Sequence, residues 1–263
     1  MKTRQGSRQP FPELRKDLRG MRYPAYVEPK LDGELNWFMP DKDEPHLINK
    51  SGKIRYSFPI AYELSSINVK LLGELYWRGG TAGALYEFLK HQTDDELKFM
   101  AFDVDLPLPY LERHKWLVEN VRGMPHVITP LSVMALNEAQ VYELYKQYAD
   151  DMHYEGAVVK SFDSRLIMGV CPWVKIKKKD NLDLMIVAID PTLERIEVQV
   201  PVDAVQVMAY GKKLSHTCGV KVPNKIKATL KVGDIVEIEH QGILSKGGLR
   251  HPVFVRRRDD KCV

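Results

Sequence analysis

Lys30 lies in the segment "VEPKLDGELNWF" (residues 27–38), two positions after a glutamate and two before an Asp-Gly pair. The flanking runs "AYVEPK" and "ELNWFM" are strand-like and are joined by turn residues. A lysine is a nucleophile only as the free amine, and its ordinary pKa near 10.4 leaves about one amine in a few thousand at neutral pH. Nearby positive charge lowers a lysine pKa. The segment therefore predicts a covalent nucleophile, provided that the fold brings other cations to it.

The best candidates for those cations are Lys175 and Lys177 in "WVKIK". Residues two apart on a strand project from the same face. Two ammonium groups on one face repel each other unless an anion lies between them, which indicates a bound phosphate. Cations placed for a phosphate would also favour the neutral form of Lys30. The alternative is a solvated basic edge strand.

The elements around these lysines indicate an α+β fold, because short strands and a few helices occur without regular alternation. One helix is predicted to begin at Asn137 as N-cap, with Val141, Leu144, Tyr145 and Tyr148 on its buried face. Two others are predicted over "AGALYEFLKHQ" and "LERHKWLVENV", the latter burying Leu117, Val118 and Val121.

After Lys179 the pattern changes to strand-like runs such as "LMIVAI", "RIEVQV", "AVQVMAY" and "DIVEIEH" between turn residues. Such spacing predicts a small barrel or sandwich. We therefore predict three regions, a basic N-terminal arm at 1–22, an α+β domain at 23–179 and an all-β domain at 180–263.

Charge and composition narrow the class of protein. The chain has 263 residues and a net charge of only +4, but seven of its first 22 residues are Lys or Arg, and "KIKKK" and "RRRDDK" are further basic runs. Clustered positive charge favours a phosphate-rich partner, although any one run can be merely a solvated face. Three widely spaced cysteines predict no disulfide framework, and the absence of a long apolar run predicts a cytoplasmic protein without membrane contact.

Six segments in order resemble the nucleotidyltransferase motifs of ATP-dependent DNA ligases: "EPKLDGEL", "LLGELYW", "FMAFDVD", "EGAVVK", "WVKIKK" and "LRHPVFVRRRDDK". The resemblance implies an adenylation domain with antiparallel sheets followed by an OB-fold domain. It also implies that Lys30 attacks the α-phosphorus of ATP to form lysyl-AMP, that AMP passes to the 5′-phosphate of a nick, and that the 3′-hydroxyl then seals the strand.

The resemblance assigns a role to each matched residue. Glu28 lies beside the adenine, Phe102 stacks on it unless it is a core residue, and Glu74 is associated with the ribose and metal. Glu155 is a second ligand of Mg²⁺ or Mn²⁺, a role that suits its carboxylate oxygens. The remaining residues that the resemblance places near ATP are Lys50, Lys160, Lys175, Lys177, Arg258 and Lys261.

The sequence departs from the family pattern at three positions. Leu35 stands where relatives commonly have an arginine, five residues after the nucleophile, and Leu72 replaces an aspartate. Lys50 replaces another arginine, so the charge is kept but the bidentate fork is lost. By the resemblance, these departures concern the contacts to the ribose and to the nick.

The expected partner is nicked double-stranded DNA bound by a monomer. Three alternatives remain open. An RNA ligase or a GTP-using capping enzyme shares the lysine and several motifs, and a non-catalytic nucleic-acid-binding OB protein is a third reading.

Overall fold

The computed structural model describes residues 2–56, 59–77, 85, 97–152, 154–201, 217–244 and 247–261. The chain divides into two compact units, unit 1 (residues 1–177) and unit 2 (residues 178–263). Strands dominate both units and the helices are few and short, so the predicted α+β class is confirmed. Among the described residues, none of the helices has the length and apolar character needed to cross a membrane.

The described part of unit 1 contains twelve strands. They are β1 (Lys2–Gln5), β2 (Pro12–Arg15), β3 (Ala25–Lys30), β4 (Glu34–Met39), β5 (His46–Asn49), β6 (Lys53–Tyr56), β7 (Leu71–Trp77), β8 (Leu97–Val104), β9 (Val127–Ile128), β10 (Val133–Ala135), β11 (Gly156–Ser161) and β12 (Gly169–Lys177).

These strands form two sheets, one of seven strands in the order β1-β6-β5-β4-β7-β8-β9 and one of five in the order β10-β3-β11-β12-β2. The pairs are antiparallel except for β8 with β9 and β12 with β2. Alternating apolar residues of the larger sheet, such as Phe38, Leu71 and Phe99, are fully buried in one core cluster. The smaller sheet holds β3, β11 and β12 side by side, which places the segments around Lys30, Gly156 and Lys177 next to one another.

The N-terminal 22 residues are part of unit 1 and not a separate arm, so that prediction is corrected. β1 pairs with β6 and β2 pairs with β12. Phe11 is buried, and the Trp37 indole Nε1 donates a hydrogen bond to the carbonyl of Pro10 at 2.8 Å. These short strands are hard to predict from the sequence, because charged residues interrupt the apolar pattern. Their backbones nevertheless pair with strands of two sheets.

The α-helices with described bounds are α1 (Pro59–Glu63), α2 (Tyr110–Asn120), α3 (Glu138–Lys146) and α4 (Asn224–Lys227). Asn137 caps α3 as predicted, since its side chain accepts the Gln140 N–H at 3.0 Å. Tyr148 is buried in a following π-helical turn, Gln147–Asp151. In α2 the prediction that Val118 is buried is wrong, because this side chain is 42% exposed.

Two predicted elements lie outside the described residues, the helix "AGALYEFLKHQ" except for Leu85, and the strand "AVQVMAY".

In unit 2 the described strands are β13 (Asp180–Ile189), β14 (Arg195–Gln199), β15 (Thr217–Lys221), β16 (Ile235–His240) and β17 (Val253–Arg257).

Unit 2 is built on one antiparallel sheet in the order β15-β14-β13-β16-β17. Its inward residues, among them Ile186, Val198 and Ile238, form a separate buried core. Apart from the four-residue helix α4, its described elements are all strands. The closure of this sheet into an OB barrel, and the boundary at 179/180, stay predictions.

Candidate active site

A cavity of about 480 Å³ in unit 1 is lined by residues of both sheets. Seven of the eleven residues predicted from the sequence line it. They are Glu28, Lys30, Lys50, Glu74, Phe102, Lys175 and Lys177. Its walls are completed by further, mostly apolar residues, namely Pro12, Glu13, Leu14, Pro29, Leu31, Leu35, Met100, Val158 and Trp173. Nine apolar and seven charged residues thus line the cavity, and an apolar pocket wall with convergent polar groups is typical of a ligand site.

Glu155 lies between two lysines of the cavity. It forms an ion pair with the Lys30 Nζ through Oε2 and accepts a hydrogen bond from the Lys177 Nζ through Oε1 at 2.5 Å. Burial alone would raise the pKa of Glu155, but the charge of Lys30 and the hydrogen bond from Lys177 hold that pKa below its ordinary value. Glu155 is therefore an anion that links the predicted nucleophile to one of the predicted cations.

The backbone at Gly156 explains this arrangement. Gly156 is the β11 residue paired with Lys30 on one side and with Lys177 on the other. Its φ is +151°, and a Cβ there would lie 2.0 Å from the Ile176 carbonyl oxygen. Only glycine fits here between the neighbouring strands, and the backbone N–H of the preceding residue, Glu155, donates to the Lys30 carbonyl at 3.0 Å.

Lys175 and Lys177 both line the cavity, as their strand spacing predicts. Burial lowers the pKa of the Lys175 ammonium, and the positive charges of Lys177 and Lys30 lower it further. In the described part of the chain, Lys175 has no ion-pair partner. Lys175 therefore places in the cavity wall a positive charge that none of the neighbouring carboxylates pairs with, which favours an anionic ligand.

Glu74 is the second carboxylate near Lys30. The Gly33 N–H donates a hydrogen bond to its Oε1 at 3.2 Å. Burial raises the pKa of Glu74 to about 7, an effect that the charge of Lys30 partly offsets and that of Glu155 reinforces. A cation bound beside Glu74 would favour its charged form.

Glu28 lines the cavity, and two buried side chains fix its carboxylate. Its Oε2 forms an ion pair with the Lys160 Nζ at 2.8 Å, and its Oε1 accepts a hydrogen bond from the Tyr110 hydroxyl. Burial, followed by the charge of Glu28, raises the pKa of Tyr110 well above its usual range, so the hydroxyl keeps the proton that it donates. Both carboxylate oxygens are therefore fixed before any ligand binds.

Lys160 is fully buried and does not line the cavity. Its Nζ donates to the Phe102 carbonyl at 2.8 Å and lies 4.4 Å from the centre of the Trp173 ring. Its predicted contact with ATP stays a prediction, but in this structure Lys160 acts on the cavity through Glu28 and these aromatic residues.

A buried ion pair below Lys160 was missed by the sequence analysis. The Arg113 Nε donates to Asp103 Oδ1 at 2.6 Å, Nη2 donates to Oδ2 at 3.0 Å, and both side chains are fully buried. Asp103 directly follows Phe102 in "AFDVD", and Arg113 falls on the buried side of α2. An arginine among the apolar positions of a helix was the only sequence signal for this pair.

Phe102 lines the cavity and is half-buried. Its ring meets Trp173 edge to face, with centroids 6.5 Å apart and an interplanar angle of 77°. The two rings form an apolar surface on which a planar base can stack. Trp173 was also missed as a cavity residue, although it opens the "WVKIK" motif.

Lys50 reaches the cavity from an ordered turn between β5 and β6. Asn49 Oδ1 accepts the N–H groups of Ser51 and Lys53 at 3.0 and 2.9 Å. The Asn49 amide in turn donates to Glu34 at 2.8 Å, and Glu34 also pairs with the buried Arg55. Arg55 is the first arginine after Leu35, the position where relatives commonly have one, and here its side chain is buried against Glu34.

Arg258 and Lys261 belong to unit 2. Asp183 Oδ2 accepts from the Arg258 Nη1 at 2.5 Å and from the Lys261 Nζ at 2.7 Å. The Arg258 Nη2 also pairs with Asp260 at 2.7 Å, and this hydrogen bond, more than any other cause, lowers the pKa of Asp260 to about 2. Their predicted role in ATP binding stays a prediction.

The chain was compared with known proteins in sequence and in structure. No family model matches the chain, and none of the curated proteins matches it in sequence. Solved structures do match. A structure from a study of DNA binding with a minimal scaffold by Lig E DNA ligases has a TM-score of 0.75 and 15% identity, covering 95% of this chain and 99% of that one.

Two further structures give the same result. The ATP-dependent DNA ligase of bacteriophage T7 in complex with ATP has a TM-score of 0.53 and 14% identity, covering 95% of this chain and 98% of that one. The DNA ligase-adenylate of Chlorella virus has a TM-score of 0.53 and 15% identity, also covering 95% and 98%. The chain therefore has the fold of ATP-dependent DNA ligases, and the resemblance noted in the sequence is confirmed at the level of the fold.

Proposed function

We propose that the protein is an ATP-dependent DNA ligase that seals nicks in duplex DNA through a lysyl-AMP intermediate on Lys30. The observation that carries the proposal is the position of Lys30, in the wall of a cavity where two carboxylates and two further lysines converge on it within a ligase fold. Phosphoryl transfer needs reactants held in line and charge neutralised, and this set of residues suits both needs.

Three transfers make up the proposed reaction. The Lys30 amine forms a bond to the α-phosphorus of ATP, the bond to pyrophosphate breaks, and the amine loses one proton. An oxygen of the nick 5′-phosphate then attacks the AMP phosphorus, and the Lys30 nitrogen leaves and regains a proton. Finally, the 3′-hydroxyl attacks the activated 5′-phosphorus, loses its proton and releases AMP.

The residues of the cavity support these steps. Lys175 and Lys177 neutralise charge on the phosphate oxygens, and such preorganised charges are the largest single contribution in many enzymes. Phe102 and Trp173 offer the apolar wall for the base. Glu28, held by Lys160 and Tyr110, offers a fixed acceptor at its edge.

Mg²⁺ is the cation that the fold implies. The donor set fits it, because Mg²⁺ typically binds through one or two carboxylates together with phosphate oxygens and waters. Glu74 and Glu155 supply two carboxylates, and no group of three or more metal-ligating side chains occurs among the described residues. Bound there, Mg²⁺ would neutralise phosphate charge, and Mn²⁺ could replace it.

Labelling with ATP that carries a radioactive α-phosphate tests the proposal. Wild-type protein with Mg²⁺ should retain label through denaturation, and Lys30→Ala should retain none. Lys115→Ala is the matched control, because Lys115 is exposed on α2 and does not line the cavity. Absence of label on the wild type, or equal label on Lys30→Ala, contradicts the proposal.

Substrate competition separates the related activities. We expect sealing of nicked DNA in preference to nicked RNA, and use of ATP in preference to GTP; the reverse result supports an RNA ligase or a capping enzyme. A substrate already carrying AMP on its 5′-phosphate should be sealed even by Lys30→Ala, because the last step does not use the amine.

We further propose that the protein acts as a cytoplasmic monomer. Light scattering of the purified chain tests its oligomeric state.

A further inference from the structure

The N-terminal strand β2 forms one border of the cavity. Three of its residues, Pro12, Glu13 and Leu14, line the cavity wall. β2 runs parallel to β12, with Arg15 opposite Val174. The next residue, Lys16, therefore follows β2 at the level where β12 carries Lys175.

The backbone around Lys16 is anchored on both sides. Phe11 is buried in one core cluster of unit 1, and Leu18 is buried in another. The Arg15 guanidinium donates a hydrogen bond to the carbonyl of Arg19, which closes the turn after Lys16. Lys16 is thus presented from an ordered turn and not from a loose tail.

The charge of Lys16 is not neutralised within the part of the chain that the structure describes. No ion pair links it to Glu13 or to any other described residue. The carboxylate next to it, Asp17, is engaged with Arg19 at 3.2 Å, and the hydrogen bond from Arg19 is the main cause that lowers the pKa of Asp17. The positive charge of Lys16 also reaches Lys175, because it contributes to the lowered pKa of that lysine.

Lys16 extends the positive charge of the cavity to its outside. Lys30, Lys175 and Lys177 line the cavity, whereas Lys16 is exposed and does not. Glu155 pairs with both Lys30 and Lys177, whereas Lys175 and Lys16 have no ion pair with a described residue. A cation just outside suits an anion that continues beyond the nucleotide, as the backbone of a nucleic acid strand does.

We propose that Lys16 is a phosphate-binding residue at the mouth of the cavity, contacting the sugar-phosphate backbone of the DNA strand whose end is joined there. The proposal rests on the proposed ligase function. The same chemistry could serve the triphosphate of ATP, so the experiment measures the two ligands separately.

The experiment compares Lys16→Ala with Lys115→Ala in the full-length chain. Both changes remove one exposed lysine of unit 1 that has no ion pair with a described residue, but only Lys16 adjoins the cavity. Binding of a nicked duplex is measured over a range of salt concentrations. We expect Lys16→Ala to bind several-fold more weakly than Lys115→Ala and to lower the slope of log K against log [salt] by about 0.9, the value for one phosphate contact.

The second arm measures the ATP concentration that gives half-maximal labelling of Lys30. If this value rises several-fold in Lys16→Ala while the salt slope is unchanged, the phosphate that Lys16 binds belongs to ATP, and the DNA contact is overturned. If Lys16→Ala equals Lys115→Ala in both arms, the whole inference is overturned. Lys16→Arg, which keeps the charge, should restore binding.

Failure of the inference and failure of the proposed function are distinguishable. Binding of the nicked duplex does not require lysyl-AMP, so it can be measured even if no label forms on the wild type. If the wild type takes up no label but Lys16→Ala has a reduced salt slope, the proposed ligase function is contradicted and the DNA contact of Lys16 is supported. If the wild type is labelled but Lys16→Ala changes neither the salt slope nor the ATP dependence, the ligase function is supported and the contact is contradicted.

Discussion

Two arginines of this protein form similar paired hydrogen bonds with aspartates in different surroundings. Arg113 in unit 1 pairs with Asp103, and both side chains are fully buried beneath the cavity. Arg258 in unit 2 pairs with Asp183 and Asp260 near solvent, and Asp260 is 60% exposed. Water can replace the partners of Arg258 but not those of Arg113.

The difference in burial between these two ion pairs separates residues that support the site from residues that can bind a ligand. Removing one partner of a buried ion pair leaves an uncompensated charge and is strongly destabilising. An exposed pair contributes little to stability, because solvent screens it and the side chains lose freedom in forming it. A charged side chain near solvent can therefore exchange its partner for a ligand at small cost, which a buried one cannot do.

The largest expected effect comes from breaking the buried pair. Arg113→Ala leaves the Asp103 carboxylate without its partner and should lower the free energy of unfolding by about 3–5 kcal/mol. Urea unfolding of the full chain measures this. Arg122→Ala, which removes an exposed arginine that follows α2, is the control and should leave the midpoint unchanged. An equally small shift for both variants would remove the contrast between buried and exposed arginines.

An intermediate effect is expected from Glu74. Its pKa in the folded protein is about 7, above its ordinary value of 4.5, so the folded state binds more protons between these two values. The free energy of unfolding of metal-free protein should therefore fall as pH rises from about 4.5 to 7, by roughly 2–3 kcal/mol from this group. Glu74→Gln should remove that fall, as measured by urea unfolding across this pH range.

Glu237 in unit 2 provides a comparison of opposite sign. The hydrogen bond from Arg256 is the main cause that lowers the pKa of Glu237, so its contribution to stability is present above its ordinary pKa and is lost as pH falls below it. Glu237→Gln should leave the fall between pH 4.5 and 7 intact. If it instead removes that fall, Glu74 is not its source.

The smallest effect on stability is expected from Asp183→Asn. This change weakens the part-buried contact to Arg258 and the more exposed contact to Lys261, and it should shift the unfolding midpoint much less than Arg113→Ala does. If these cations act in the first step, the rate of labelling with ATP should fall about tenfold, because they are no longer held in position. A loss of stability like that of Arg113→Ala would instead make this cluster part of the scaffold.

The comparison also shows which predictions succeeded. The α+β class and the cap at Asn137 followed from local patterns and are confirmed. The strand spacing of Lys175 and Lys177 correctly placed both in one cavity wall. The basic arm at 1–22 and the burial of Val118 were wrong, because short strands among charged residues and the orientation of a weakly amphipathic helix depend on contacts distant in sequence.

By itself the sequence determined the order of the motifs, the residue types that could carry the chemistry, and the strand and helix periods that present them. Only the tertiary structure decided that Glu155 lies between Lys30 and Lys177, that Lys160 is a buried support for Glu28, and that β2 borders the cavity. The physical reason is that each of these contacts joins strands far apart along the chain. Their register is set by packing and by Gly156 of β11, which lies between β3 and β12, not by the local preferences of the residues concerned.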